Sequence, residues 1–157
     1  MKEENQLQIS KSIFLIPVVY VVAIWFIYWV EIQFDFNFNI FGVLPRNLVG
    51  FRGVFLMHFI HGDTSHLFNN SIPLFVLSAA LFYFYRSNKW KVLLGGMFLT
   101  GLLTWIIGRP SYHIGASGIV YLLASFLFFK GIFSKQYQLT ALSLVVVFLY
   151  GSLLWYV

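Results

Sequence analysis

The chain has 157 residues, of which 60% are hydrophobic and 21% aromatic, with only 10% charged and no cysteine. A mean hydropathy of +0.83 is too apolar for a water-soluble domain, where apolar residues make up about 45–50% and charges about 25%. Soluble binding modules, disordered tails and disulfide-stapled secreted domains are thereby excluded. Spans of about 20 residues each, about five in number, would take up most of the apolar positions. This predicts an all-α fold, a polytopic transmembrane helical bundle forming one domain over residues 1–157.

The polar N-terminus Met1–Lys11 is followed by a first span over about Ser12–Val30, retained because no small-residue cleavage site follows it. Trp25, Tyr28 and Trp29 suit an interfacial belt. The long segment Glu31–Asp63 is rich in Phe but interrupted by Gly42, Pro45, Gly50 and Gly53, which predicts short interfacial helices at the membrane surface. A second span covers about His66–Tyr85 and ends in a basic turn with Arg86, Lys89 and Lys91. The third, about Val92–Ile107, is lightened by Gly95, Gly96 and Gly101, which allow close helix approach. A tight loop over Gly108–His113 leads to a fourth span, about Ser117–Phe129. A turn with Lys130 and Lys135 precedes the fifth, about Leu139–Val157. Lys2, Lys11, Arg86, Lys89, Lys91, Lys130 and Lys135 fall on one side of this arrangement and Arg46, Arg52 and Arg109 on the other. That excess predicts a cytoplasmic N-terminus, with Glu31–Asp63 and the loop before Ser117 on the outer face. The net charge of +5 is spread singly between apolar runs, so no nucleic-acid partner is expected.

The informative residues are polar groups that are costly at membrane depth. His66 and Asn70, four apart, project from one face of a helix, and intramembrane polar groups face the bundle interior or a wet cavity. Hydrogen bonding to neighbouring helices is the ordinary explanation for such a pair. Asn69 points elsewhere. The second constellation is Gly115-Ala-Ser117-Gly118, where an outer loop enters a helix. Ser117 there is first a capping candidate. It is also a candidate nucleophile, with backbone N–H groups and the positive end of the helix dipole ready to stabilise an oxyanion. The flanking glycines, Gly115 and Gly118, would admit a substrate backbone. Both clusters lie at outer ends of spans and can converge on one cavity. Tyr121, one turn after Ser117, shares its face.

Taken together, Gly-Val-Leu-Pro45-Arg46, then His61-Gly-Asp-Thr-Ser-His66-Leu-Phe-Asn-Asn70, then Gly115-Ala-Ser117-Gly118-Ile-Val-Tyr121 resemble the rhomboid family of intramembrane serine proteases. Order and spacing fit across nearly the whole chain. The resemblance implies Ser117 as nucleophile, His66 and Asn70 as oxyanion-stabilising residues, Gly115 in the nucleophile loop, Tyr121 beside the catalytic imidazole and a structural role for His61. It implies cleavage of transmembrane protein substrates within the lipid bilayer, without metal or organic cofactor. One departure matters. The family's general base is a histidine on a later, sixth helix, whereas His58, His61, His66 and His113 all precede Ser117. Since the sequence also stops in apolar residues at Tyr156-Val157, the expectation is a C-terminally truncated rhomboid-like domain whose base lies past Val157. The competing expectation is a catalytically inactive membrane protein that binds client helices through the same groove. A metal hydrolase built on His58, His61 and His66 would be a third reading. It lacks an HExxH pattern and has Asp63 as its one nearby acid.

Overall fold

The computed structural model of the protein describes residues 12–150, with side chains over 13–148. Lys2, Lys11 and the last seven residues of the expected fifth span lie outside the described residues. The chain is all-helical: α1 (Ser12–Gln33), a short α2 (Gly53–Leu56), α3 (Thr64–Phe84), α4 (Lys89–Ile107), α5 (Ser117–Phe133) and α6 (Tyr137–Tyr150). Single 3₁₀ turns occupy Phe38–Phe41, Val49–Arg52 and Met57–Phe59. The Phe-rich segment thus forms short pieces of helix rather than a span, as its glycines and proline dictate.

Among the described residues three helices, α1, α3 and α4, are long and apolar enough to cross a membrane. The fourth expected span is a shorter apolar helix, and the described part of the fifth forms the apolar helix α6. The 17 residues of α5 reach only about 26 Å at 1.5 Å per residue, below the roughly 30 Å of hydrocarbon. The cause lies just before it, where the chain is held as loop: His113 and Val43 exchange backbone hydrogen bonds of 2.8 and 2.9 Å, and Gly115 N donates to Met57 O at 2.8 Å. Helix geometry can start only at Ser117.

The most enclosed span is α3: 56% of its apolar 18-residue stretch is buried, against 22% of the corresponding stretches of α1 and α4. It therefore forms the axis on which the others pack. Leu67, Leu74, Leu77 and Leu81 of α3 meet Ile24 of α1, Met97 of α4 and the stripe Ile119, Leu123 and Leu127 of α5. Apolar burial drives helix association weakly in lipid, so close approach and dispersion have to supply the packing. A Cβ on Gly101 would collide with the Val54 carbonyl, and one on Gly96 would meet Ile119 and Leu122 at 2.8 Å. Gly95 differs from its expected role: a Cβ there would meet nothing within 4 Å, and it opens into a groove between α4 and α5, also lined by Leu99, Leu122 and Phe126.

Two of the aromatic residues expected in an interfacial belt serve helix pairing instead. Trp25 Nε1 donates to Ser71 Oγ at 2.9 Å, and the Tyr28 hydroxyl meets Thr64 Oγ1 at 3.0 Å, tying α1 to α3. Trp29 remains exposed. Such sharing of indole and phenol groups satisfies polar atoms that lipid cannot.

The segment from Phe34 to Ile60 works as a strap. Glu31 Oε1 accepts from Phe38 N at 2.7 Å, and the rings of Phe34, Phe36, Phe38 and Phe41 follow one another at 5.7–6.2 Å between neighbouring centroids. Arg52 lies over Phe41 and donates to Ile40 O. Arg46 donates to Ile106 O and Gly108 O at 3.1 and 3.0 Å, satisfying carbonyls that the end of α4 leaves open. Trp105 Nε1 returns a bond to Asn47 O. The strap so joins the ends of α1 and α4 to the loop that precedes Ser117.

Candidate active site

Helix α3 begins two residues earlier than its apolar run suggests. The reason is Asp63, whose extended backbone and carboxylate cap the helix, Oδ1 accepting from His66 N at 2.8 Å. An aspartate there satisfies one orphan N–H and favours the positive helix end. It also fixes the first turn from which His66 projects. Asn70 follows one turn on, buried, with Nδ2 donating to His66 O at 3.0 Å. One of its two N–H bonds is thereby engaged and the second is free to donate. Asn69 turns to the other side, toward Ser65.

The loop that leads into Ser117 comes to meet this pair. Gly115 has φ +106, a conformation that side chains with a Cβ rarely adopt. The His66 ring lies directly over it, with Nε2 and Cε1 only 2.5 and 2.6 Å from where a Cβ would stand. Two expected clusters, one on α3 and one at the start of α5, are therefore in contact through His66 and Gly115. Ser117 is the first residue of α5, half-buried, and does not cap it: Ala116 holds the cap position without a side-chain bond. Among the described residues Ser117 Oγ has no hydrogen-bond partner, so its hydroxyl is not committed to the backbone. The first-turn N–H groups of α5 have no intrahelical acceptor. Beside them, Gly118 packs against Thr100 of α4 and the Met57 side chain. Tyr121 lies one turn farther along α5, half-buried.

The remaining histidines separate. His58 is fully buried and its Nε2 pairs with Met97 O at 2.9 Å, directed to α4. His113 is held in the loop, Nε2 on Arg109 O at 3.0 Å. His61 alone joins the site: its ring is edge-on to His66 at 5.0 Å, and its Nε2 accepts from Ala116 N at 3.4 Å. Burial, with His66 next to it, pushes the His61 imidazole down to about 3, so it is neutral at physiological pH. Among the described residues no three His, Asp or Glu side chains converge as a metal site would require. The sequence gives no signal for the His61–Ala116 bond, because the two residues are 55 positions apart.

This all-helical bundle, with a polar pair on its central helix facing a Gly-x-Ser-Gly helix start, has the architecture of a rhomboid domain. A family model described as Rhomboid domain matches residues 50–157, and the chain belongs to that family. It is an integral membrane protein. The uncharacterized proteins Mb1372 of Mycobacterium bovis and Rv1337 of Mycobacterium tuberculosis are each 35% identical over 124 residues, covering 72% of this chain and 50% of theirs. The uncharacterized protein ML1171 of Mycobacterium leprae is 30% identical over 108 residues, covering 65% of this chain and 43% of its own. The chain spans about half the length of the curated relatives it matches. No solved structure matches it.

Proposed function

We propose that the protein is an intramembrane serine endopeptidase that cleaves transmembrane helices near their outer ends. The observation that carries this reading is the seat of the His66 ring on Gly115, two residues from an uncommitted serine hydroxyl at a helix N-terminus. A substrate helix must unwind locally to offer a carbonyl, since a regular helix keeps its carbonyls bonded internally. Ser117 Oγ attacks that carbon, and the oxyanion forms where His66, the free N–H of Asn70 and the first-turn N–H groups of α5 can donate. Collapse expels the amine and leaves an acyl-enzyme, which water then hydrolyses. Gly115 seats the His66 ring, and Gly118 packs against Thr100 and Met57, so the expected room for a substrate backbone is taken by the protein's own side chains; the family resemblance places Tyr121 beside the imidazole. The substrates are transmembrane proteins, and the lipid bilayer is the medium; no cofactor enters. The N-terminus is cytoplasmic and the site opens toward the outer face, as the distribution of Lys and Arg indicates.

Attack by Ser117 requires a general base, which the family resemblance assigns to a later helix than α6, so the test uses the complete gene product. Reconstituted in vesicles with a reporter transmembrane helix, the wild type should cleave and Ser117→Ala should not. Cleavage by Ser117→Ala at the wild-type rate would refute the assignment. The second reading, an inactive relative that binds client helices, is favoured by the same uncommitted hydroxyl, which makes no hydrogen bond to an imidazole or carboxylate among the described residues. Under that reading both proteins leave the reporter intact and retain it equally.

A further inference from the structure

We propose that His61 is a positioning residue that holds the nucleophile loop and the His66 ring in register, acting as a neutral imidazole whose Nε2 accepts the Ala116 N–H. This rests on the protease reading for its catalytic consequence, although the clamp itself is a statement about the fold. His61 is 1% exposed and touches both halves of the site at once. Its Nε2 takes the N–H of the residue just before Ser117, and its ring edge supports His66. Because Nε2 accepts, the ring proton sits on Nδ1, a buried atom that makes no hydrogen bond of its own.

Two consequences follow from that tautomer. The Ala116 N–H is withdrawn from the set of possible oxyanion donors, leaving Ser117 N and the side chains of His66 and Asn70. The loop is also fixed from both sides, by Met57 O on Gly115 N and by His61 on Ala116 N, so the dihedral angles that aim Ser117 are set before substrate arrives. The groups facing His61 are the His66 imidazole and the Asp63 carboxylate, and Ala116 and Gly115 add only backbone.

The test has three arms on the complete gene product. Nitrogen NMR of histidine-labelled wild type should show one neutral imidazole protonated on Nδ1 and silent to titration from pH 8 to pH 5, and that signal should vanish in His61→Gln. Cleavage of the reporter helix should fall on the order of 100-fold in kcat with little change in KM for His61→Phe, which keeps the volume but removes the acceptor. His61→Gln, whose amide oxygen can reach the Nε2 position, should recover most of that loss. Hydrogen exchange at Ala116 should quicken in His61→Phe and stay slow in His61→Gln. A proton found on Nε2 overturns the proposal even if His61→Phe fails to fold. Equal kcat in wild type and His61→Phe overturns it while leaving the protease reading intact. A wild type that never cleaves refutes the protease reading alone, and the clamp is then decided by the NMR and exchange arms.

Discussion

Gly115→Ala is the sharpest perturbation that the geometry offers. Two independent costs meet at this position. A φ of +106 is unfavourable for any residue with a Cβ, at about 1–2 kcal/mol. The added methyl would also stand 2.5 Å from His66 Nε2, where carbon and nitrogen need roughly 3.5 Å. The ring must therefore retreat by about 1 Å, or the loop must swing away from it. A displacement of that size in a reacting constellation costs on the order of 100-fold in rate, about 2.7 kcal/mol of barrier. The assay pairs kcat on the reporter helix with unfolding in mixed micelles. The variant should lose about two orders of magnitude in kcat and about 1–2 kcal/mol of stability. A protein that cleaves within threefold of wild type and unfolds at the same point would show that His66 does not rest on Gly115, and the reasoning would fail.

Gly101→Leu should destabilise the fold by about 1–3 kcal/mol, because its side chain would enter the Val54 carbonyl and push α2 off α4; the same change at Gly95, which faces open space, should be tolerated. Unfolding midpoints of the two variants, measured side by side, check the contrast. The stability of the wild type should fall as pH drops from about 6.5 toward 3, at up to about 1.4 kcal/mol per unit from His61 alone. The sign follows because the native imidazole, held near 3, stays unprotonated while the unfolded chain takes up the proton. Burial of His58 acts in the same direction, so the measurement compares wild type with His61→Gln. The difference between the two curves should shrink steadily with acid, and a flat difference would contradict it.

Much of this fold is legible in the sequence, because each long apolar run is a helix whose type is fixed by the need to satisfy its own backbone. Helix ends are less so. Asp63 extends α3 backward by capping it, and Lys130 does not end α5, which continues to Phe133, since a lysine stem can lie along the helix while its charge reaches water. The pairing of His66 with the Gly115 loop is foreseeable from the two motifs, whose polar residues need a shared enclosure in lipid. The strap is not. Arg46 on the last carbonyls of α4, Val43 against His113 and His61 on Ala116 are contacts across 55 to 70 positions. No local periodicity encodes them, and each depends on the helices already being packed. Trp25 and Tyr28 show the same limit: amphipathic aromatic side chains suit an interface equally well whether their partner is a lipid headgroup or, as here, a hydroxyl on α3.

The most direct measurement is covalent trapping at Ser117. The complete gene product, in lipid vesicles, is treated with a fluorophosphonate, which phosphonylates activated serine hydroxyls with loss of fluoride, and the modified peptide is located by mass spectrometry. One adduct on Ser117, absent from Ser117→Ala and strongly reduced by Asn70→Ala, is the predicted result. No adduct at Ser117, or modification of some other serine in a preparation that cleaves the reporter, would contradict it.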